Sequence, residues 1–239
     1  MKHPIVVLHG WGLSAATFEP LITELRSHGF PVWAPDLPGF GNTKIPLKPL
    51  NLSDYVEFLS DYMQTERITN PIIIAQSFGG RVALKYQAAY PSSIHALVLT
   101  GTPGFTPVPK KKLFLFVTIA KIGKLFFLIP FTSLLRDRVR SWYYYAVGAR
   151  DYYRAEGAMR ETFKRIVREE LVTSMKKVNV PTLLVWGAQD IIVPVPIAKK
   201  MKETIASAEL IILPDNGHGV SYKNPKQFYG AIASWLRSV

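Results

Sequence analysis

The chain has 239 residues, of which 48% are hydrophobic and 19% charged, an ordinary composition for a globular protein long enough to bury one large core. It contains no cysteine, which excludes a disulfide framework, a thiolate metal site and a thiol nucleophile. The formal net charge is +12, but most of the excess belongs to residues 106–180, which carry sixteen basic and six acidic side chains. No recognised nucleic-acid-binding motif accompanies that segment, so nucleic acid is not expected as a partner.

Short runs rich in Val, Ile and Leu recur between helix-like stretches, which is the pattern of parallel strands buried on both faces. Strands are predicted at 4–9, 31–35, 71–76, 94–100, 181–187 and 208–214. Helices are predicted near 17–28, 53–66, 79–90, 194–206 and 225–238. Before the last helix, Asn224 is expected to cap the free N–H groups and Pro225 to take the first helical position. Six strands alternating with helices predict an open α/β sheet.

The first predicted strand contains only four apolar residues, Ile5 to Leu8, before His9-Gly10. That run is too short for the apolar part of a secretory signal, so we expect a cytoplasmic protein. The strand then enters the glycine-rich turn His-Gly-Trp-Gly at 9–12, which begins the next helix.

The strongest local signal is Ala-Gln-Ser-Phe-Gly-Gly at 75–80, at the end of the third predicted strand. A serine on a tight strand-to-helix turn is forced out above the sheet, and its neighbours must be small because two backbones pass closely. Gly79 meets that requirement, and Ala75 departs from it by only a methyl group. The helix that starts after Ser77 also points backbone N–H groups at this place. An incidental serine in a glycine-bounded turn is the alternative.

Residues 106–180 interrupt the alternation and divide the chain into a first core part (1–105), a helical cap insertion after the fourth strand, and a second core part (181–239). The apolar stretch 113–131 is interrupted by Lys121 and Lys124. Each lysine would cost about 2.5–3.5 kcal/mol at the centre of a membrane span. An apolar, basic-edged cap helix is therefore expected instead of a transmembrane helix.

A serine hydroxyl needs an adjacent base, which an acid holds in orientation. Among five histidines, His218 follows the last strand on a loop that can carry its imidazole over the carboxyl edge of the sheet, whereas His9 is expected to support its own turn. Asp190 follows the fifth strand and lies between Ser77 and His218 in sequence, where the acid belongs. These positions predict a catalytic triad of Ser77, Asp190 and His218. A solvated loop carboxylate is the alternative for Asp190.

With these residues assembled, the chain resembles the α/β-hydrolase superfamily over nearly its whole length. Its opening is similar to the branch that contains pimeloyl-carrier methyl ester esterases and small carboxylesterases. The resemblance implies a mostly parallel six-stranded sheet in the family order 4-3-5-6-7-8, without the usual N-terminal hairpin, because the first strand begins at residue 4. The five matching motifs lie at 9–12, 35–41, 75–80, 186–190 and 216–219.

The resemblance also implies a serine esterase for small to medium acyl chains, in which the backbone N–H groups of Trp11 and Phe78 hold the oxyanion. Ser77 argues against epoxide hydrolases and haloalkane dehalogenases of this fold, which use an aspartate at the turn. Cofactor-free haloperoxidases, acyltransferases, thioesterases and carbon–carbon bond hydrolases share the triad and remain alternatives. A non-catalytic ligand-binding protein on the same scaffold is an alternative of another class. No phosphate loop or metal-ligand cluster is present in the sequence, so no cofactor and no metal are expected.

The insertion is expected to roof the substrate pocket. Its basic charge could draw an acidic carrier protein or an anionic membrane surface, which leaves a peripheral membrane location open. Solvated helix faces are the alternative explanation of that charge, and core packing is the alternative for the aromatic residues. The aromatic residues proposed as pocket walls are Phe114, Phe126, Trp142 and Tyr145.

Overall fold

The computed structural model describes residues 2–105 and 155–239. Its six strands form one sheet in the order β2-β1-β3-β4-β5-β6, and all neighbouring strands are parallel. This order confirms the sheet predicted from the sequence. The strands are β1 (Ile5–Leu8), β2 (Val32–Trp33), β3 (Ile72–Gln76), β4 (Ala96–Thr100), β5 (Thr182–Gly187) and β6 (Ala208–Leu213).

Helices connect the strands and cover both faces of the sheet. Within the described residues they are α1 (Glu19–Ser27), α2 (Leu52–Thr65), α3 (Phe78–Ala89), α4 (Gly157–Arg168), α5 (Val172–Lys176), α6 (Val195–Thr204), α7 (Val220–Lys223), α8 (Pro225–Ile232) and α9 (Trp235–Ser238). A 3-10 turn, Ala15–Phe18, leads into α1.

The sheet separates two apolar layers because successive side chains of a strand point to opposite faces. In β1, Ile5 and Val7 belong to the layer that contains α1 and α8, whereas Val6 and Leu8 belong to the layer that contains α2, α3 and α6. Burial on both faces is the physical reason why the central strands are continuous apolar runs.

The chain reverses its direction of progress across the sheet between β1 and β3. From β1 it moves to the edge strand β2, and it then returns to β3 and continues towards β6. In open α/β sheets, the crevice outside the carboxyl ends of the strands at such a reversal is where ligands bind. Leu8 and Ala75 are paired at this point, so the turns that follow them, at 9–12 and 77–80, lie side by side.

Two helices, α4 and α5, lie within the predicted insertion, 106–180, and agree with its helical character. No helix in the two described ranges is long and apolar enough to cross a membrane. The boundaries of the insertion remain a prediction. The proposed pocket residues Phe114, Phe126, Trp142 and Tyr145 lie outside the described residues.

The expected cap of the last helical region is wrong in one respect. Pro225 takes the first position of α8, as predicted, but the side chain of Asn224 caps no N–H group. Its amide instead donates a 2.6 Å hydrogen bond to Asn216 Oδ1. Asn216 is 2% exposed, and a buried polar side chain needs its own partners, so Asn224 serves that need in place of the helix end.

Candidate active site

Ser77 lies on a strained turn between β3 and α3. Its φ of 51° and ψ of −110° fall where a residue with a side chain pays about 1–3 kcal/mol, a cost found mainly at functional sites. The turn is held because Ser77 N–H donates to Thr100 O at 2.9 Å. A Cβ at Gly79 would lie 2.5 Å from Leu8 O and 2.7 Å from His9 O. Only glycine therefore lets α3 start this close to the end of β1.

The turn after β1 lies directly beside Ser77. A Cβ at Gly10 would be 3.5 Å from Ser77 Cβ. The next N–H along this turn belongs to Trp11, and the first N–H of α3 belongs to Phe78. Neither N–H has a hydrogen-bond acceptor in the described part of the chain. Because a helix N-terminus carries free N–H groups and a partial positive charge, this place suits a negatively charged oxygen.

Asp190 and His218 are in direct contact. His218 Nδ1 and Asp190 Oδ2 are 2.8 Å apart, and the Asp190 side chain is 1% exposed. The other carboxylate oxygen, Oδ1, accepts hydrogen bonds from the N–H groups of Ile192 at 2.9 Å and Val193 at 2.8 Å. Since the carboxylate accepts at Nδ1, the neutral imidazole carries its proton there and presents a lone pair at Nε2.

Two contacts bring the His218 loop to the Ser77 turn. Gln76, the residue before Ser77, donates from Nε2 to His218 O at 3.3 Å. Gly101 follows the residue that binds Ser77 N–H, and a Cβ at Gly101 would lie 2.7 Å from the imidazole Cε1. Among the described residues the Ser77 hydroxyl has no hydrogen-bond partner. The hydrogen bond between a nucleophile and its base is often long in a free enzyme and tightens only when substrate binds.

Two buried side chains hold the loops that carry the acid and the base. The indole N–H of Trp186, which is fully buried, donates to Val193 O at 2.7 Å, and Val193 is itself a donor to Asp190. Asn216, two residues before His218, donates to Pro214 O at 2.6 Å and to Gln227 Oε1 at 2.9 Å. Sequence reasoning missed both roles, because these pairings depend on how the loops pack against the rest of the chain.

His9 supports the turn after β1. Its Nε2 accepts a 3.0 Å hydrogen bond from Leu37 N–H, and its Nδ1 lies 2.8 Å from Gly10 O, to which it donates. Burial lowers the pKa of His9 below its usual range, so the ring is neutral and can accept at Nε2. This geometry agrees with the supporting role expected from the sequence.

An aromatic cluster lies next to the Ser77 turn. The Trp11 ring packs edge-on against Phe40 at 4.9 Å, Phe78 at 5.3 Å and Phe163 of α4 at 5.0 Å between ring centroids. Sequence reasoning missed this wall, although Trp11, Phe40 and Phe78 each belong to a motif that it singled out. The cluster gives the site an apolar side made of core and insertion residues together.

Two other features of the described residues lie apart from this chemistry. No group of three or more His, Asp and Glu side chains in residues 2–105 and 155–239 is placed to hold a metal ion. A surface cavity of about 740 Å³ lies between α2 and α3 and is lined by residues that include Arg67, Tyr86 and Tyr90. None of the candidate site residues lines this cavity.

Comparison with known proteins shows that residues 5–231 match the model of the alpha/beta hydrolase family. Lipase 3 of a Moraxella species is 27% identical, over 90% of this chain and 71% of its own length. The pimeloyl-(acyl-carrier protein) methyl ester esterase of Shewanella woodyi is 25% identical, over 97% of this chain and 93% of its own. The solved structure of an esterase from Exiguobacterium antarcticum superposes with a TM-score of 0.75 at 22% identity, covering 99% and 93% of the two chains.

Proposed function

This chain belongs to the alpha/beta hydrolase family, and from that premise we propose that it is a serine hydrolase that cleaves carboxylic esters of small to medium acyl chains. Hydrolysis of an ester bond is the coarser part of the proposal, and the names of the relatives, a lipase and a methyl ester esterase, support it. The serine mechanism and the acyl length are the finer parts.

The observation that carries the proposal is the buried Asp190–His218 pair beside the strained turn of Ser77. A carboxylate that is 1% exposed and bound to Nδ1 fixes the ring orientation and leaves Nε2 as a base. A serine held in an unfavourable backbone conformation presents its hydroxyl above the sheet. The backbone strain at Ser77 costs stability, and such strain clusters at functional sites.

In the proposed first half-reaction, His218 Nε2 takes the proton of the Ser77 hydroxyl as Oγ attacks the carbonyl carbon. The carbonyl oxygen becomes an oxyanion, which accepts hydrogen bonds from Trp11 N–H and Phe78 N–H. When the intermediate collapses, the bond to the alkoxy oxygen breaks and His218 gives its proton to the departing alcohol. The acyl group remains on Ser77 as an ester.

In the second half-reaction, water attacks the acyl-enzyme while His218 accepts one of its protons. A second oxyanion forms in the same place, and its collapse returns the proton to Ser77 Oγ and releases the carboxylic acid. Asp190 stays ionised throughout and stabilises the imidazolium formed in each half. The chemistry needs no group beyond these side chains and the two N–H groups.

The aromatic wall supports an apolar acyl chain. Trp11 packs against Phe78 of the turn that carries Ser77, and Phe163 packs against Trp11. Burial of an aliphatic chain against such rings gains about 0.8 kcal/mol per methylene. We therefore propose that p-nitrophenyl butyrate is a better substrate than p-nitrophenyl acetate, as judged by kcat/KM.

The test is hydrolysis of these two esters by the wild-type chain and by Ser77→Ala, with Ser92→Ala as a matched control on an exposed residue. The proposal expects Ser77→Ala to lose more than about 10⁴-fold in kcat and Ser92→Ala to retain wild-type rates. Equal activity in wild type and Ser77→Ala would refute the serine mechanism. A thioester, a lactone and an amide of the same acyl chain, tested in parallel, would show which leaving group the site prefers.

A further inference from the structure

The loop between β2 and α2 carries an exposed apolar tip, defined here as residues 44–48. Leu47 is 99% exposed and Ile45 is 68% exposed. Leu47 is thus the most exposed large apolar side chain of the described residues. Lys44 and Lys48 flank the pair and are exposed as well. A single exposed apolar residue needs no explanation, but two of them between two lysines form a pattern that suits an interface between water and lipid.

Hydrogen bonds hold the chain on both sides of the tip. Before it, Gly39 N–H donates to Lys44 O at 3.1 Å. After it, Arg165 of α4 donates to Pro49 O at 2.9 Å, and Leu50 N–H donates to Thr162 Oγ1 of the same helix at 2.8 Å. Both ends of the tip are thus hydrogen-bonded to the rest of the chain, and Ile45 and Leu47 are exposed between them.

The tip itself is basic. Residues 37–50 contain Lys44 and Lys48 and no acidic residue, although Asp36 immediately precedes them. The neighbouring segment 156–170, which contains α4, adds no net charge, because its four basic residues are matched by four acidic ones. The tip therefore complements a surface of negative charge through Lys44 and Lys48.

The tip lies at the same end of the sheet as Ser77. It follows the carboxyl end of β2, and Ser77 follows the carboxyl end of the parallel strand β3. Two further exposed apolar residues, Ile191 at 88% and Ile192 at 65%, follow β5 and so belong to this end too. A flat partner that receives the tip would face the end of the molecule that carries the candidate active site.

We propose that residues 44–48 form a membrane-docking tip, which inserts Ile45 and Leu47 into the interface of an anionic bilayer while Lys44 and Lys48 bind lipid phosphates. A bilayer fits better than an acidic protein because Leu47, at 99% exposure, and Ile45, at 68%, stand out from the described part of the surface and form no groove for a partner side chain. A fluid interface accepts such a projection without a preformed pocket, and lysine stems can lie along it with their ammonium groups among the headgroups. The docking itself does not depend on the proposed function.

The experiment measures cosedimentation with vesicles of equal parts phosphatidylglycerol and phosphatidylcholine, compared with vesicles of phosphatidylcholine alone. The Ser77→Ala chain is the background throughout, so that binding is read without hydrolysis. Ile45→Ser with Leu47→Ser is expected to weaken binding by about tenfold or more, since each apolar side chain loses its burial. Leu47→Ser alone is expected to weaken binding to a smaller extent. Circular dichroism checks that each variant is folded.

The charge contribution has its own matched pair of variants. Lys44→Gln with Lys48→Gln is expected to weaken binding by about fivefold for each lysine removed, and raising the salt concentration should have the same direction of effect. Lys176→Gln with Lys177→Gln removes two exposed lysines next to the start of β5, at the opposite end of the sheet, and should leave binding close to that of the background chain.

Three results would overturn the proposal. The first is no binding to the anionic vesicles above the level seen with phosphatidylcholine alone. The second is binding that the Ile45 and Leu47 variants leave unchanged. The third is binding to an acidic carrier protein, weakened by the same variants, without binding to vesicles. Each of these can occur while the chain hydrolyses p-nitrophenyl esters normally, so a failure here is distinguishable from a failure of the proposed function.

Discussion

At the scale of single residues, the site combines one residue in a strained backbone conformation with two buried polar side chains whose polar atoms are all hydrogen-bonded. Ser77 has a positive φ of 51°, and Asp190 is buried with hydrogen bonds at both of its oxygens. His9 is buried as a neutral ring that both donates and accepts. Each group is therefore sensitive to a substitution that keeps its size but changes its hydrogen bonding.

Asp190→Asn is expected to preserve the fold and to lower kcat by about 10³–10⁴-fold, because the amide can donate to Nδ1 and stabilise the wrong imidazole tautomer. The measurement is kcat for p-nitrophenyl butyrate, with thermal unfolding to show that the variant is folded. Asp215→Asn is the control, since Asp215 is exposed and makes no contact with His218. A kcat within tenfold of wild type in Asp190→Asn would remove Asp190 from the mechanism.

His9→Gln tests whether the buried His9 ring is neutral, through the pH dependence of the free energy of unfolding. Burial lowers the pKa of His9 in the folded chain, so near and below about pH 6.5 the unfolded chain binds more protons than the folded one. The stability that neutral His9 provides is complete above that pH and is lost as pH falls. The difference in free energy of unfolding between wild type and His9→Gln should therefore shrink between pH 7.5 and pH 5.5 in urea titrations. A difference that is constant with pH would contradict this account.

At the scale of elements, α3 anchors the end of the insertion to the core. Arg81 is 2% exposed, and its guanidinium donates to Pro103 O, to Ile166 O at 2.7 Å and to Glu169 O. Burial lowers the pKa of Arg81 to about 10, so it remains charged at neutral pH. A cation at the carboxyl end of α4 complements the partial negative charge of the last carbonyl groups of that helix.

Arg81→Met is expected to lower the free energy of unfolding by about 2–4 kcal/mol, because it removes the charged donor that Pro103 O, Ile166 O and Glu169 O share. Lys85→Met is the matched comparison: Lys85 lies one turn further along α3 and forms a 2.5 Å ion pair with Glu169, in which both side chains are partly exposed. Removing that pair should cost less than about 1 kcal/mol. Urea denaturation of both variants checks the prediction, and equal losses would argue against the buried clamp.

The elements also show how much the sequence could predict. The strands were predictable because apolar runs buried on both faces leave a strong local signal, and Ser77, Asp190 and His218 stand at strand ends that the pattern locates. The order of the strands came from the resemblance to the family, because local patterns do not encode it. The contact between Gln76 and His218 was not predictable, since 142 residues separate them and no periodicity encodes such a pairing. The cap role expected of Asn224 failed for a different reason: Asn216 is only eight residues away, but its burial, which creates the need for a partner, is set by tertiary packing.

At the scale of the whole molecule, the reversal of strand order between β1 and β3 brings the Trp11 turn beside the Ser77 turn, and the β5 and β6 loops bring Asp190 to His218. The exposed tip at 44–48 lies at the same end of the sheet. The end of the molecule at the carboxyl ends of the strands therefore carries both the proposed chemistry and the proposed membrane contact. Neither proposal involves the opposite end.

The most direct test of the central claim, that Ser77 is a nucleophile activated by His218, is labelling with a fluorophosphonate followed by intact-mass measurement and peptide mapping. The expected result is one phosphonyl adduct per chain, located on Ser77, with slower labelling in His218→Gln and none in Ser77→Ala. Labelling that persists in Ser77→Ala, or an adduct that maps to another residue, would contradict the claim. So would a wild-type chain that hydrolyses p-nitrophenyl butyrate yet takes up no label.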